Sequence, residues 1–249
     1  MEQYNEFAKV YDLFMDNIPY EEWSQYIIEL LNEYGVKEGL CLDLGCGTGK
    51  MTNILSDKGF DMIGIDNSDE MLNVAMENIR DRDILYLCQD MREFELFGTV
   101  KSVISVCDCI NYITDENDLL EVFRLVNNYL DPKGIFIFDM NTYYKYSNLL
   151  GCETIAENRD EASFIWENYF DEESNINEYA LTLFIKEEEL YRKYEEFHYQ
   201  RAYHLDEIKN LIEKSGLEFL AVYDSFSREK PTDTSERVHF VCREKGKGE

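Results

Sequence analysis

The stretch LDLGCGTGK, residues 42–50, joins a strand pattern to a helix pattern and decides the fold class. An apolar run enters it and predicts a short buried strand: Leu40, Cys41, Leu42 and Leu44. Three glycines follow, and their missing side chains let a ligand approach the main chain: Gly45, Gly47 and Gly49. Apolar residues at helical spacing then predict a helix that Gly59 ends: Met51, Ile54 and Leu55. With the free N–H groups at its start, this turn predicts a nucleotide-type cofactor site.

The spacing of the glycines bears on which cofactor binds. The dinucleotide fingerprint G-x-G-x-x-G/A needs a third small residue for close packing of helix and strand. Here Lys50 occupies that position, and Asp43 precedes the glycines at the end of the strand. A carboxylate there repels a pyrophosphate but suits a ligand that carries a cationic amine. The loop therefore favours a cofactor other than a dinucleotide.

This acid followed by G-x-G-x-G resembles motif I of the class I S-adenosylmethionine-dependent methyltransferases. Four further strand patterns are similar to that family in the same order: FDMIGID (60–66), ILYLCQDM (84–91), VKSVISVCD (100–108) and LDPKGIFIFDMN (130–141). A single glycine-rich turn also occurs as tight packing alone, but five elements in register argue against coincidence. The resemblance implies S-adenosyl-L-methionine as cofactor and S-adenosyl-L-homocysteine as product.

The predicted fold is α/β, with a doubly wound, mostly parallel, seven-stranded Rossmann-like sheet and an antiparallel β insertion after the fifth strand. At 249 residues, the chain is expected to form one methyltransferase domain. Within it, residues 1–36 are expected to form a helical lid and 37–150 the cofactor-binding core. Residues 151–203 alternate towards period two and predict the antiparallel insertion, which would cover the substrate. Residues 204–249 predict the last helix and an edge hairpin.

The resemblance assigns cofactor contacts residue by residue. Asp66 would accept the ribose hydroxyls, Asn67 would lie beside the adenosine, and Asp90 with Met91 would flank the adenine. Tyr11, in the N-terminal FAKVYD segment, would touch the methionine end, or would pack on the sheet as a core tyrosine. The whole expected cofactor site is Tyr11, Asp43, Gly45, Cys46, Gly47, Asp66, Asn67, Met71, Asp90, Met91 and Cys107.

The acceptor site is expected after the fourth and fifth strands. The segment after the fourth strand is not the (D/N)PPY motif used for exocyclic base amines and glutamine amides, which argues against those substrates. The residues expected to bind the acceptor are Asp108, Asn111, Tyr112, Asn141, Tyr143 and Tyr203. His198 is the candidate general base, or a strand histidine, whereas His204 is expected to help start the next helix. With three histidines and no ligand-spaced cluster, no metal site and no magnesium-dependent catechol methylation are expected.

The insertion concentrates aromatic residues among glutamates. These are Tyr169, Phe170, Tyr179, Tyr191, Tyr194, His198, Tyr199 and Tyr203. Aromatic walls with a few polar groups are typical of a small-molecule pocket. The alternatives are that these rings pack the strands onto the main sheet or bury a dimer interface, so a monomer and a homodimer both stay open.

The composition restricts the partners. With 24 Lys and Arg against 52 Asp and Glu, the formal net charge is −28. That field repels nucleic acids and anionic membranes, and it is compatible with a small, cationic acceptor. The seven cysteines show no CxxC pair and predict no disulfide framework. Since the N-terminus lacks the features of a signal peptide and no stretch is long enough to span a membrane, a cytoplasmic protein is expected.

Three functions are therefore compatible with the sequence. The first is a methyltransferase acting on a nitrogen or oxygen atom of a small molecule. The second is a protein that binds S-adenosylmethionine without turnover. The third is an NAD(P)-dependent oxidoreductase, against which Lys50 and Asp43 argue. An amine acceptor needs only to lose its proton, whereas a hydroxyl usually needs a base.

Overall fold

The computed structural model describes residues 6–247, so the ends of the predicted lid and of the C-terminal segment, residues 1–5 and 248–249, lie outside the described residues. The helices in the described part are α1 Ala8–Phe14, α2 Tyr20–Glu33, α3 Lys50–Asp57, α4 Asp69–Glu77, α5 Glu116–Tyr129 and α6 Leu205–Ser215. The strands there are β1 Gly39–Leu44, β2 Phe60–Asp66, β3 Ile84–Cys88, β4 Val100–Ser105, β5 Leu130–Asn141, β6 Thr154–Asn158, β7 Ala162–Asp171, β8 Ile176–Glu187, β9 Leu190–Arg201, β10 Glu218–Asp224 and β11 Arg237–Arg243.

The main sheet has seven strands in the order β10-β11-β5-β4-β1-β2-β3. Strands β1 to β5 pair in parallel. Strand β11 is antiparallel to both of its neighbours, and β10 forms the edge through the hairpin with β11. The strand order reverses between β4 and β1, which is the point where such sheets bind ligands. The predicted doubly wound sheet with a reversed last strand is confirmed.

Alternate side chains of each strand enter two hydrophobic cores, one on each face of the sheet. Helices α5 and α6 cover one face, where Phe123 and Ile212 pack beneath Phe136. Helices α2 and α3 cover the other face, where Leu30 and Leu55 pack against the sheet. Two helix starts are capped by side chains: Ser68 accepts from the Met71 N–H, and Asp115 accepts from the first turn of α5.

The start of β5 differs from expectation in one detail. Asp131-Pro132-Lys133-Gly134 predicts a turn in which the proline fixes the first bend and the glycine permits the last. The four residues do loop out, because Val100 pairs with Leu130 and Ser102 pairs with Ile135. However, Lys133 adopts the positive φ of 63°. Gly134 is needed for space, since a Cβ there would lie 2.9 Å from the Asp131 carbonyl oxygen.

The segment after β5 begins with a π-helical turn at Lys145–Leu150 and continues as a four-stranded antiparallel sheet in the order β6-β7-β8-β9. The predicted antiparallel insertion after the fifth strand is therefore confirmed. The side chains on its inner face pack against α1: Ala162, Phe164, Leu181 and Leu183 meet Phe7, Val10 and Phe14. Among residues 6–247, no helix is both long and apolar enough to cross a membrane.

Candidate active site

A cavity of about 650 Å³ lies at the carboxyl ends of β1, β2, β3 and β4. Every residue of the expected cofactor site borders it: Tyr11, Asp43, Gly45, Cys46, Gly47, Asp66, Asn67, Met71, Asp90, Met91 and Cys107. Their contacts with a bound cofactor stay a prediction. The cavity nevertheless brings together residues from four strand ends and the N-terminal helix, and its volume is in the range of small-molecule sites.

The three glycines of the loop serve different purposes. A Cβ at Gly45 would lie 2.7 Å from the Cys109 Sγ, and one at Gly49 would lie 2.3 Å from the Tyr86 hydroxyl oxygen. Those two glycines are needed for packing within the protein. At Gly47, which has a φ of 52°, no atom lies within 4 Å of the Cβ position. Gly47 is therefore the glycine beside which the cavity offers free space to a ligand.

The carboxylate of Asp66 organises the loop. Its Oδ2 accepts from the Gly47 N–H at 2.8 Å, and its Oδ1 accepts from the Ser68 N–H at 3.0 Å. Burial raises the pKa of Asp66, and these backbone bonds offset part of that rise. Each carboxylate oxygen has a second lone pair, so both can still accept a hydroxyl hydrogen from a ribose.

Asp43 lies deeper in the cavity wall and is 1% exposed. Its Oδ2 accepts from the Thr52 hydroxyl at 2.6 Å. Burial raises the pKa of this carboxyl to about 7, and the negative charge of Asp66 adds to the rise. A buried acid without a cationic partner binds a proton more readily than a free one.

This position predicts a pH dependence of cofactor affinity. A cationic amine near Asp43 would favour the ionised carboxyl, so binding below about pH 7 should release a proton. We expect affinity for S-adenosylhomocysteine to rise by up to about tenfold per pH unit up to pH 7 and to level off above it. The free energy of unfolding depends on pH in the opposite direction. Because the pKa of Asp43 is raised in the folded state, the contribution of this carboxyl to stability falls as pH rises from about 4 to 7.

Calorimetric titrations between pH 5.5 and 8.5 measure this dependence. Asp43→Asn is the control, because an amide of the same shape cannot titrate and should flatten the slope. A slope that persists in Asp43→Asn would assign the proton to another group. If the affinity of the unmodified protein does not change with pH, the amine of S-adenosylhomocysteine does not bind near Asp43.

Asp90 is already paired. The Arg92 Nε lies 2.9 Å from its Oδ1, and the Arg92 Nη2 lies 2.5 Å from its Oδ2. Hydrogen bonds from this guanidinium hold the pKa of Asp90 below its usual range. Arg92 also contacts Asp118 at 3.3 Å. Arg92 and Asp118 border the cavity but carry no sequence motif that identifies them.

The lysine that departs from the dinucleotide fingerprint has a structural use. The Lys50 Nζ lies 3.5 Å from the Asp12 Oδ2, and the Thr48 hydroxyl donates to the Asp12 Oδ1 at 2.8 Å. Asp12 belongs to α1, so these contacts fasten the N-terminal helix to the glycine loop. A dinucleotide site would have a small residue at position 50, whereas here Lys50 anchors α1.

The insertion sheet holds the other side of α1. The Glu196 Oε1, on β9, accepts from the N–H groups of Glu6 and Phe7 at 3.0 and 3.1 Å. The rings of Phe14 and Phe164 meet edge to face with centroids 4.8 Å apart. Helix α1 is therefore clamped between the insertion sheet and the glycine loop, with Tyr11 facing the cavity.

His198 lies behind the cavity wall. Its side chain is 4% exposed, and its Nε2 lies 3.3 Å from the Glu196 Oε2. Its ring meets that of Tyr112 edge to face with centroids 6.0 Å apart, and Tyr112 borders the cavity. In this arrangement His198 supports Glu196 and Tyr112 and does not face the cavity as a general base would. His204 does precede α6, where its N–H donates to Glu207 at 2.7 Å.

Of the six residues expected to bind the acceptor, only Tyr112 borders the cavity. Five do not border it: Asp108, Asn111, Asn141, Tyr143 and Tyr203. The Asn111 side chain bridges the backbone of Asn141 and Arg201, and the Tyr203 hydroxyl donates to the Ile113 carbonyl at 2.6 Å. Asn141 accepts from Lys145, and Tyr143 stacks on His204. These bonds favour structural roles for them.

No residue between 151 and 203 borders the cavity. The aromatic residues of the insertion divide between its two faces. Tyr169 and Tyr199 are 63% and 43% exposed, whereas Phe170 and Tyr179 pack around Tyr146. The insertion therefore meets the cavity through α1 and Tyr112, and none of its aromatic side chains lines the cavity as the expected acceptor pocket would require.

Tyr20 is the main cavity residue that sequence reasoning missed. Burial raises the pKa of its hydroxyl group, and the neighbouring Cys107 adds to that rise. It borders the cavity beside Tyr11 and Cys107. Its sequence position gives no signal, because it stands three residues before Trp23 on the apolar stripe of α2 and reads as a core residue.

Comparisons with known proteins agree with this site. Residues 41–134 match a family described as a methyltransferase domain. Over 244 residues, the chain is 35% identical to a Bacillus subtilis protein that bears the name "Putative methyltransferase YqeM", and the match covers 96% of each protein. The crystal structure of an S-adenosylmethionine-dependent methyltransferase from Clostridium acetobutylicum has a TM-score of 0.88 and 32% identity, over 98% of this chain and 99% of that one.

A third relative is a dTDP-3-amino-3,4,6-trideoxy-alpha-D-glucopyranose N,N-dimethyltransferase from Streptomyces venezuelae. It is 25% identical over 134 residues, which is 53% of this chain and 56% of that protein.

Fold, cavity and comparisons together define an enzyme that uses a nucleoside-type methyl donor. The chain belongs to the class I S-adenosylmethionine-dependent methyltransferases. Its cofactor is S-adenosylmethionine, as predicted from motif I. The residues present fit that cofactor, because Gly47 leaves space beside the loop and Asp66 keeps free lone pairs. The oxidoreductase alternative is not supported.

Proposed function

We propose that the enzyme methylates a nitrogen or oxygen atom of a small molecule. When bound, S-adenosylmethionine supplies a methyl group on a sulfonium. A nucleophile attacks the methyl carbon in line with the sulfur, which leaves as the thioether of S-adenosylhomocysteine. The chain's contribution is to hold both reactants in a site shielded from water. Helix α1, clamped from both sides, would provide that shielding, which is the role expected of the lid.

One observation favours an amine acceptor over a hydroxyl. The cavity wall around Cys107 carries phenols and thiols, from Tyr11, Tyr20, Cys109 and Tyr112, and no histidine borders the cavity in the described part of the chain. Burial raises the pKa of Tyr11 and of the Cys109 thiol, so both stay neutral and are poor bases. An amine needs no base during the attack itself, because it becomes a nucleophile once its ammonium proton has been lost.

The charge of the protein and one of its relatives also support an amine acceptor. The net charge of −28 attracts a cationic amine to the site and repels RNA and DNA. Asp118, Asp69 and Glu70 border the cavity and add to that local potential. The Streptomyces venezuelae relative acts, by its name, on the amino group of a nucleotide sugar. Because the negative field disfavours the anionic nucleotide part, an amino sugar without a nucleotide is the acceptor we would try first.

The test is methyl transfer from labelled S-adenosylmethionine to pooled acceptors. The pools are primary and secondary amines, amino sugars, phenols, carboxylic acids and total RNA, with S-adenosylhomocysteine formation as an independent readout. We expect label in an amine pool, and none when Asp66→Ala replaces the unmodified protein. Label in RNA would contradict the proposal, and cofactor binding without transfer to any pool would favour the non-catalytic alternative. The cytoplasmic location and the monomeric or homodimeric state stay predictions.

A further inference from the structure

The backbone turns through two consecutive left-handed residues just after β4. Cys107 has a φ of +64° and Asp108 a φ of +54°, a region that side-chain-bearing residues seldom adopt. Such backbone persists only where surrounding bonds hold it in place. Because Cys107 borders the cavity, this corner is part of the cavity wall.

The carboxylate of Asp139, on β5, binds both N–H groups of the corner. Its Oδ2 accepts from the Cys107 N–H at 3.2 Å, and its Oδ1 accepts from the Asp108 N–H at 2.7 Å. Asp139 is fully buried. An unpaired carboxylate at such a position would be strongly destabilised, so the corner depends on a cation that compensates Asp139.

Arg237, on β11, supplies that cation. Its Nη1 lies 2.6 Å from the Asp139 Oδ2, and its Nη2 lies 2.5 Å from the Asp108 Oδ1. One planar guanidinium therefore joins both carboxylates, which a single ammonium group cannot do in the same geometry. Gln200, on β9, donates to the remaining Asp108 oxygen at 2.7 Å.

The corner forms part of the cavity wall through Cys107. Tyr11 and Tyr20 line the cavity together with Cys107, and both tyrosines lie close enough to Cys107 for its charge to affect their pKa values, so a shift of Cys107 would disturb their surroundings as well. Arg237 itself does not border the cavity. Its influence on the site would pass through Asp139, Asp108 and the backbone of the corner.

We propose that Arg237 is a positioning residue of the methyltransferase site, which holds the Cys107 wall in place by bridging Asp139 and Asp108. This role rests on the proposed function in one respect, the identity of the ligand that contacts the Cys107 wall. No motif of the sequence indicates this role, because Arg237 lies at the start of the last strand.

The variant Arg237→Lys tests the role, since it keeps the charge and loses the fork that joins two carboxylates. Arg243→Lys is the matched control: it lies on the same strand, and its partner Glu218 is 3.7 Å away at the surface. Two quantities are measured in the full chain: S-adenosylhomocysteine affinity by calorimetry, and the rate of Cys107 alkylation by mass spectrometry. Cys88, which is exposed, is the internal reference for alkylation.

We expect Arg237→Lys to weaken binding about tenfold and to speed Cys107 alkylation about tenfold, with Cys88 unchanged. Desolvation raises the pKa of the Cys107 thiol, so its alkylation should be slow until the corner loosens. Arg243→Lys should change neither quantity. A folded Arg237→Lys protein with unchanged affinity and alkylation overturns the proposal, and so does a variant that fails to fold, because Arg237 would then serve the fold as a whole. If the unmodified protein binds no cofactor, the proposed function fails, while the alkylation rates still decide the role of Arg237.

Discussion

Replacing Asp66 by alanine is expected to weaken S-adenosylhomocysteine binding by at least about a hundredfold. Two charge-assisted hydrogen bonds to the ribose would be lost, each worth about 1.5–3 kcal/mol, and every 1.4 kcal/mol is about tenfold in affinity. The loop would suffer as well, because the Asp66 carboxylate holds the N–H groups of Gly47 and Ser68. Isothermal calorimetry with the purified variant measures the change.

Asp61→Ala is the matched control for this prediction. Asp61 lies on the same strand, and its side chain is exposed and does not border the cavity. The control should bind as the unmodified protein does. An Asp66→Ala protein with native circular dichroism and an affinity within about threefold of the unmodified protein would show that the ribose lies elsewhere.

The second large effect is on stability, at Gly49. An alanine Cβ there would lie 2.3 Å from the Tyr86 hydroxyl oxygen and 3.1 Å from the Ala75 Cβ, at a φ of +74°. Overpacking costs about 1–3 kcal/mol, and left-handed backbone with a side chain adds about 1–2 kcal/mol. We expect Gly49→Ala to lower the melting temperature by at least roughly 4 °C, as measured by calorimetric scanning.

Two variants separate these causes. Gly59→Ala carries the backbone strain alone, because Gly59 has a φ of +98° and nothing lies within 4 Å of its Cβ position. Tyr86→Phe removes the atom nearest to the new Cβ, so Gly49→Ala should cost about 1 kcal/mol less in that background. Equal losses at Gly49 and Gly59, with no coupling to Tyr86, would refute the packing explanation.

The helices and strands, and the end of the site where the cofactor is expected, were predictable from local sequence patterns. Strand and helix periods and the glycine loop are encoded within single elements, so local patterns sufficed to predict them. In a parallel sheet, the carboxyl ends of strands meet at one edge. Residues at or just after the ends of successive strands, such as Asp43, Asp66 and Asp90, therefore had to converge on one cavity.

Which polar side chains face that cavity depends instead on contacts between segments that are distant in the sequence. Asn111 and Tyr203 stand at positions that suggest acceptor binding, yet their polar atoms are bonded to backbone of distant segments. His198 is on the inner face of a strand as its pattern allows, but it pairs with Glu196. The alternation of residues along a strand predicts on which face of the sheet a side chain lies, but it does not predict which residue that side chain contacts.

The Arg237 bridge shows the physical reason most clearly. Its guanidinium meets Asp139 and Asp108, which lie 98 and 129 residues earlier in the chain. Such a contact depends on how β11 inserts beside β5 and on the backbone after β4, both of which arise only when the sheet assembles. Local sequence fixes which groups a chain carries, whereas the packing of distant strands decides which of them compensate one another and which remain free to meet a ligand.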